Sequence, residues 1–229
     1  SEMCIRDRTN YANQKCNGQD AVTLQTAFAL SCNTAFVEMS EQLGADELRK
    51  YAKAFGVGEN YDLGVSTSAG TLGDLPDGAA TAQSAIGQRD VTMTALQAAV
   101  MAGTVANKGT RMQPYLVNRI TDAQMKDIRT TKPKKADQAV NEDTAATLTD
   151  LMYASERSSW GYDGNGFASK TGTAEHGEGL APHVWYVAFD PERDIAVGVV
   201  VKNGGNLGES ATGGKVSGPI GRAILRAYQ

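Results

Sequence analysis

The chain has 229 residues, of which 41% are hydrophobic and 21% charged, the proportions of a globular protein with enough chain for one substantial core. Its formal net charge of -4 leaves no basic surplus to neutralise phosphates, which argues against nucleic acid as a partner. No run approaches the ~20 apolar residues of a membrane span, the longest greasy stretch being the strand-sized Ile195 to Val201, and no secretory h-region opens the chain.

The first eight residues, Ser-Glu-Met-Cys-Ile-Arg-Asp-Arg, follow no periodicity and resemble translated sequencing adapter. They are read as non-native, with the natural coding sequence expected to continue upstream. Setting Cys4 aside leaves Cys16 and Cys32, a pair that an oxidising compartment could join, although spacing alone does not bring two Cα atoms within bridging distance. Neither His176 nor His183 has a cysteine near enough for a zinc site, and no metal or organic cofactor is implied.

Leu24, Ala27, Phe28 and Ser31 recur at i, i+3, i+4 and i+7, which predicts a helix with Ser31 at the end of its inward stripe. A second helix is expected from Thr34 to Leu43, stopped by Gly44, and a third from Ala45 to Phe55 that buries Leu48, Ala52 and Phe55. Residues 57–90 are rich in Gly, Ser, Thr and Asp and read mostly as loop. A strong helix follows at about Thr94 to Ala106, with Leu96, Ala99, Val100 and Gly103 on one face. Tyr115 to Ile120 reads as a short strand, and the basic cluster Lys126, Arg129, Lys132, Lys134 and Lys135 around Pro133 as solvated loop. A helix from Glu142 to Ala154 buries Leu148, Leu151 and Met152.

Three strands are then expected at Gly166–Ala174, Val184–Phe189 and Ile195–Val201, the last two joined by the tight turn Asp190-Pro191-Glu192-Arg193. Links this short favour antiparallel pairing. The closing helix starts with Ser217 as N-cap and Pro219 near N1, and turns Ile220, Ile224 and Ala227 inward. Helices, then strands, then a helix make an α+β fold, helical over about residues 20–110 and sheet-bearing over about 111–229.

Two short motifs carry chemistry. Lys170-Thr171-Gly172, extended by Thr173, lies on the first of the three strands, and Ser31-Cys32-Asn33 lies at a helix junction. Lys-Thr-Gly and Ser-x-Asn are two of the three signatures of penicillin-binding proteins and serine β-lactamases. Four further pieces follow in the same order: Ser84-Ala-Ile-Gly-Gln88 leading into Val91 to Gln97, His183 to Phe189, Val199 to Gly205, and Gly213 to Ile220. With them the chain resembles, from about residue 16 onward, the transpeptidase domain of class B penicillin-binding proteins, those of actinobacteria in particular. One local departure is Arg89, where the family continues Gly-Gln with a second glycine. The larger departure is the third signature. No serine in the chain has a lysine three residues later, so the Ser-x-x-Lys element that carries the nucleophile is absent.

The resemblance implies a β-lactamase/transpeptidase-like fold, an antiparallel sheet flanked by helices with a mostly helical subdomain, truncated at its N-terminus, with residues 9–229 as a partial domain. It implies serine acyl transfer that cross-links D-alanyl-D-alanine stem peptides, and binding of β-lactam antibiotics. Ser31 would relay a proton toward the leaving amine, Asn33 would hold the missing lysine and the substrate amide, and Lys170 would supply positive charge beside Ser31. Thr171 and Thr173 would bind the substrate carboxylate, Gly172 would let its backbone lie along the strand, and the Thr173 N–H would be one oxyanion donor. The implied setting is the outer face of the bacterial cell membrane, with the anchor outside this chain and cell-wall or division machinery as partners. Without a nucleophile the chain itself is expected to be inactive. A β-lactamase or β-lactam sensor of the same fold is the alternative enzyme, and a non-catalytic binding or scaffold module the alternative of another class. The Trp185-Tyr186 pair is expected to turn one ring into the core, and a Ser-His-Asp hydrolase is disfavoured because no Gly-x-Ser-x-Gly elbow occurs.

Overall fold

A computed structural model of the chain describes residues 16–18 and 21–228, so the eight opening residues lie outside the described part. Helix α1 (Leu24–Ala29) starts where the Thr23 hydroxyl accepts the Thr26 N–H. It ends with Ser31 in the left-handed region at φ 55°. The Ser31 N–H donates to Phe28 O at 3.2 Å and the Cys32 N–H to Ala27 O at 2.9 Å, the paired bonds of a Schellman closure. Cys32 is then the N-cap of α2 (Asn33–Ala54), which breaks at Gly44 with φ 78°. The two helices expected on either side of that glycine are therefore present, end to end.

The loop expected over residues 57–90 contains a helix, α3 (Gly78–Ala85), started by the Asp77 carboxylate accepting the Ala80 N–H at 2.8 Å. Its residues are small and show no large-apolar stripe, so only the cap could have revealed it. Helix α4 (Ala95–Ala106) opens with a capping box between Thr94 and Gln97. It is buried more widely than one stripe, at Gln97, Ala98, Ala102, Thr104 and Val105, because other elements cover it on several sides. Gln97 Nε2 donates to the carbonyls of Gly56, Glu59 and Ala69 and so ties the 57–70 segment to α4.

Four short strands follow: β1 (Thr110–Met112), β2 (Arg119–Thr121), β3 (Asp127–Thr130) and β4 (Lys135–Gln138). They form two antiparallel pairs, β1 with β4 and β2 with β3. The predicted Tyr115–Ile120 strand thus begins later, at Arg119, and its partners were not foreseen. The basic residues Lys126, Arg129, Lys132, Lys134 and Lys135 are all exposed, as expected, but Arg129 and Lys135 sit on strands.

Helix α5 (Glu142–Ser158) carries Leu151 and Met152 into the core. The main sheet is β5 (Ala168–Ala174), β6 (His183–Asp190) and β7 (Ile195–Val201), antiparallel in the order β5-β6-β7. Alternation divides it into two faces. Ala168, Val187, Phe189 and Ala196 pack with Ala102, Val105 and Met152, with Phe28 and Phe55 against them. Tyr186, Ala188, Val197 and Val199 pack with Phe167 and with Leu225 of helix α6 (Ser217–Ala227).

That last helix corrects its predicted face. Ile220 and Ile224 are exposed at 43% and 45%, whereas Gly218, Gly221, Arg222 and Leu225 are buried. Gly221 lets the helix lie against the Tyr186 ring, with no room for a Cβ, and Arg222 turns inward to meet a buried carboxylate. The N-cap is Val216, while Ser217 is buried and its hydroxyl donates to Val184 O at 2.7 Å. Of the aromatic pair on β6, Tyr186 is fully buried and Trp185 half-buried.

Candidate active site

Residues 139 positions apart meet at the open edge of the main sheet, where Lys170 Nζ donates to Ser31 Oγ. The ammonium also donates to Thr171 O at 2.8 Å and lies 5.9 Å from the centroid of the Phe28 ring. Phe28 packs edge-on against Phe36, so the ring that α1 presents to the lysine is backed by one from α2. Burial lowers the Lys170 ammonium from its ordinary 10.5 to about 8, although part of the side chain still reaches solvent. With Lys170 as donor, the Ser31 proton is free to be donated onward.

The closure of α1 fixes where Ser31 stands. The residue after the C-cap of such a helix must take a positive φ, normally on glycine. Here it is a serine, and its hydroxyl is exposed at the junction. Asn33 occupies the first position of α2, half-buried, beside the same junction. Cys32 between them is buried and bonded to Cys16, with Cα atoms 5.6 Å apart, which resolves the pairing that the spacing left open.

Strand β5 pairs only with β6, so among the described residues its other edge is free. Lys170 and Gly172 lie on the face toward α4, and Ser169, Thr171 and Thr173 on the face toward α6. Lysine and threonines therefore flank one edge from opposite faces rather than from one wall, and only a ligand running along that edge meets both. A Cβ on Gly172 would stand 3.3 Å from Trp185 Cβ. Behind the strand, Gly213 N–H points at Thr173 Oγ1 at 3.4 Å. Arg89, the local departure, takes φ 61° without glycine and donates to Asp74 O.

A buried polar cluster beneath β5 was not found from the sequence. The Glu156 carboxylate accepts from Ser169 Oγ, from Tyr186 Oη at 3.0 Å, from Asn165 Nδ2 at 2.9 Å and from Arg222 Nε at 2.6 Å. Burial pushes the Glu156 carboxyl up, but the bonds from Arg222, Ser169 and Asn165 outweigh it and hold the group below the usual carboxylate range. Ser169 directly precedes Lys170, so the cluster pins the motif strand from its inner face. No trio of His, Cys, Asp and Glu among the described residues is arranged to hold a metal.

The profile of the penicillin binding protein transpeptidase domain matches residues 5–226. The chain is 44% identical over 227 residues to the peptidoglycan D,D-transpeptidase PbpA of Mycolicibacterium smegmatis, covering 95% of this chain and 46% of that protein. It is 41% identical to PbpA of Mycobacterium tuberculosis, again over 46% of that protein. Among solved structures, penicillin-binding protein A from M. tuberculosis as a ceftriaxone acyl-enzyme superposes with a TM-score of 0.90 at 41% identity, over 96% of this chain and 51% of that one. Its penicillin G acyl-enzyme gives a TM-score of 0.88 at 42% identity. The chain thus spans about half the length of the relatives it matches.

Proposed function

We infer function from one premise: this chain belongs to the penicillin-binding protein transpeptidase family. On it we propose that the chain forms the proton-relay and carboxylate-binding walls of a peptidoglycan D,D-transpeptidase that cross-links D-alanyl-D-alanine stem peptides and is acylated by β-lactams. The observation that carries this reading is the Lys170–Ser31 hydrogen bond at the edge of β5 that is free among the described residues.

The stem peptide would lie along that edge as an added strand, Gly172 keeping the path clear. Thr171 and Thr173 would donate to its terminal carboxylate. Ser31 would pass a proton to the leaving amine while Lys170 holds its oxygen, and Asn33 would hold the substrate amide. The Thr173 N–H would serve the developing oxyanion, a donor whose loss typically costs ~2.7–4 kcal/mol of barrier. The acylating serine and its lysine are not among the 229 residues, since no Ser-x-x-Lys occurs. The Cys16–Cys32 bond supports an oxidising, extracytoplasmic setting. No helix among the described residues is long and apolar enough to cross a membrane.

A fluorescent penicillin tests the reading. The chain alone should form no covalent adduct on a denaturing gel, while a protein that joins it to a Ser-x-x-Lys element should. In that protein Ser31→Ala should slow acylation by roughly 10²–10⁴-fold, the usual worth of a positioned proton-transfer group. Labelling of the chain alone, or acylation indifferent to Ser31, defeats the proposal.

A further inference from the structure

A side chain takes over the hydrogen bonding at the far end of the β6–β7 ladder. Backbone pairing stops at Val184 opposite Val201. The chain then turns through Asn203, at φ 53°, whose N–H donates to His183 Nδ1 at 3.1 Å. Pro182 has no N–H to offer, and its carbonyl accepts instead from Gly204 N at 2.7 Å. The His176 ring stacks on His183, with centroids 4.1 Å apart and planes 25° from parallel.

From Asn203 the chain returns to the motif strand. Gly213 sits so close behind β5 that a Cβ there would stand 3.0 Å from Gly172 N and 2.7 Å from Gly172 O. Its N–H is the group aimed at Thr173 Oγ1. The segment from Asn203 to Gly213 is therefore held at one end by the His183 imidazole together with the Gly204–Pro182 backbone bond, and at the other against the Lys-Thr-Gly strand.

We propose that His183 is a positioning residue, a proton-sensitive latch whose neutral imidazole accepts the Asn203 amide and so adds to the Gly204–Pro182 backbone bond in fixing the start of the 203–213 segment that lies behind Gly172 and Thr173. The bond requires a bare Nδ1, which puts the ring proton of the neutral form on Nε2. A second proton turns Nδ1 into a donor facing a donor, and the latch is lost. Burial first, then the neighbouring His176 and Lys202, disfavour that proton and hold His183 below its usual range. The latch is thus shut at neutral pH. Its stabilisation is complete above the ordinary histidine pKa of about 6.5 and is lost as pH falls through the lower folded value. That the segment backs a substrate-binding threonine at Thr173 rests on the transpeptidase reading, whereas the latch does not.

Amide and imidazole NMR on this chain tests it between about pH 7.5 and about pH 5, where histidine is the side chain that ordinarily titrates. The Asn203 amide shift should follow the His183 titration, with a midpoint below about 6.5. Its exchange protection, corrected for intrinsic rate, should fall at least roughly tenfold across that range. His176→Ala should raise the midpoint. His183→Asn, which retains an acceptor oxygen, should leave Asn203 protected at both ends of the range, and His183→Leu should leave it unprotected at both. Asn203 protection that stays constant while His183 titrates, or that survives His183→Leu, overturns the latch. Should the penicillin experiment fail instead, the latch would still stand as a property of the fold.

Discussion

At Ser31 the backbone sits at φ 55°, where a Cβ costs of order 1 kcal/mol relative to glycine. Its partner is costly for a second reason. The Lys170 ammonium ionises at about 8 when folded against 10.5 in the open chain, so at neutral pH the fold carries a partly desolvated charge. Both groups weaken the structure that holds them, the kind of cost that the proposed proton-relay role would account for. Ser31→Gly should therefore raise stability by about 1 kcal/mol. Lys170→Met should raise it as well, with a pH signature. The unfolded lysine binds a proton that the folded one releases between about pH 8 and 10.5, so wild-type stability climbs across that window and is fully penalised below it. Urea melts of wild type and variant should converge as pH rises through the window. A Lys170→Met protein less stable than wild type at pH 7 would show that the ammonium is held by compensating bonds rather than merely buried.

At the scale of elements, the strand bearing Lys170 is an edge, and edges are loose unless held. Its inner face is held by Glu156 of α5, which also receives Tyr186 of β6 and Arg222 of α6. Glu156→Ala leaves the Arg222 guanidinium buried without its carboxylate and should cost about 3–5 kcal/mol. Replacing both members, as in Glu156→Met with Arg222→Met, should cost less than the single change, because two apolar side chains leave no stranded charge. Denaturant midpoints decide it, and a double variant as damaged as the sum of its parts would mean that Ser169 and Tyr186 depend on the carboxylate more than Arg222 does. None of this was legible in the sequence, since Glu156 reaches partners 13, 30 and 66 residues away. Lys170-Thr-Gly-Thr was legible because its chemistry is packed into four consecutive residues on a strand with unambiguous flanks. The face of α6 was misread for a related reason: two isoleucines outvoted a glycine and an arginine whose burial depends on Tyr186 and Glu156. Helix α3 was missed because alanine, glycine and threonine give a periodicity count nothing to register.

The whole molecule brings Ser31 and Lys170 together only as well as its helical part sits on its sheet. Phe28 and Phe55 from the helices pack on the cluster of Ala168, Met152 and Phe189, which supplies apolar contact but little direction. Direction comes from the α1–α2 junction, and the Cys16–Cys32 bond closes a loop of sequence separation 16 on its central residue. Such a loop restricts the unfolded chain by about 3 kcal/mol in the chain-entropy account. For a chain of this size that corresponds to roughly 2–4 °C of melting temperature per kcal/mol. Cys16→Ser with Cys32→Ser should lower the melting temperature accordingly, and a reductant should do the same to wild type but nothing further to the variant. If the bond also aims Ser31, its loss should move the Lys170 ionisation from about 8 back toward 10.5, because a displaced junction takes Phe28 off the ammonium and admits water. A titration of Lys170 that stays near 8 in the reduced protein would assign the disulfide to stability alone and leave the aim of Ser31 to the helix closure and the Phe28 ring.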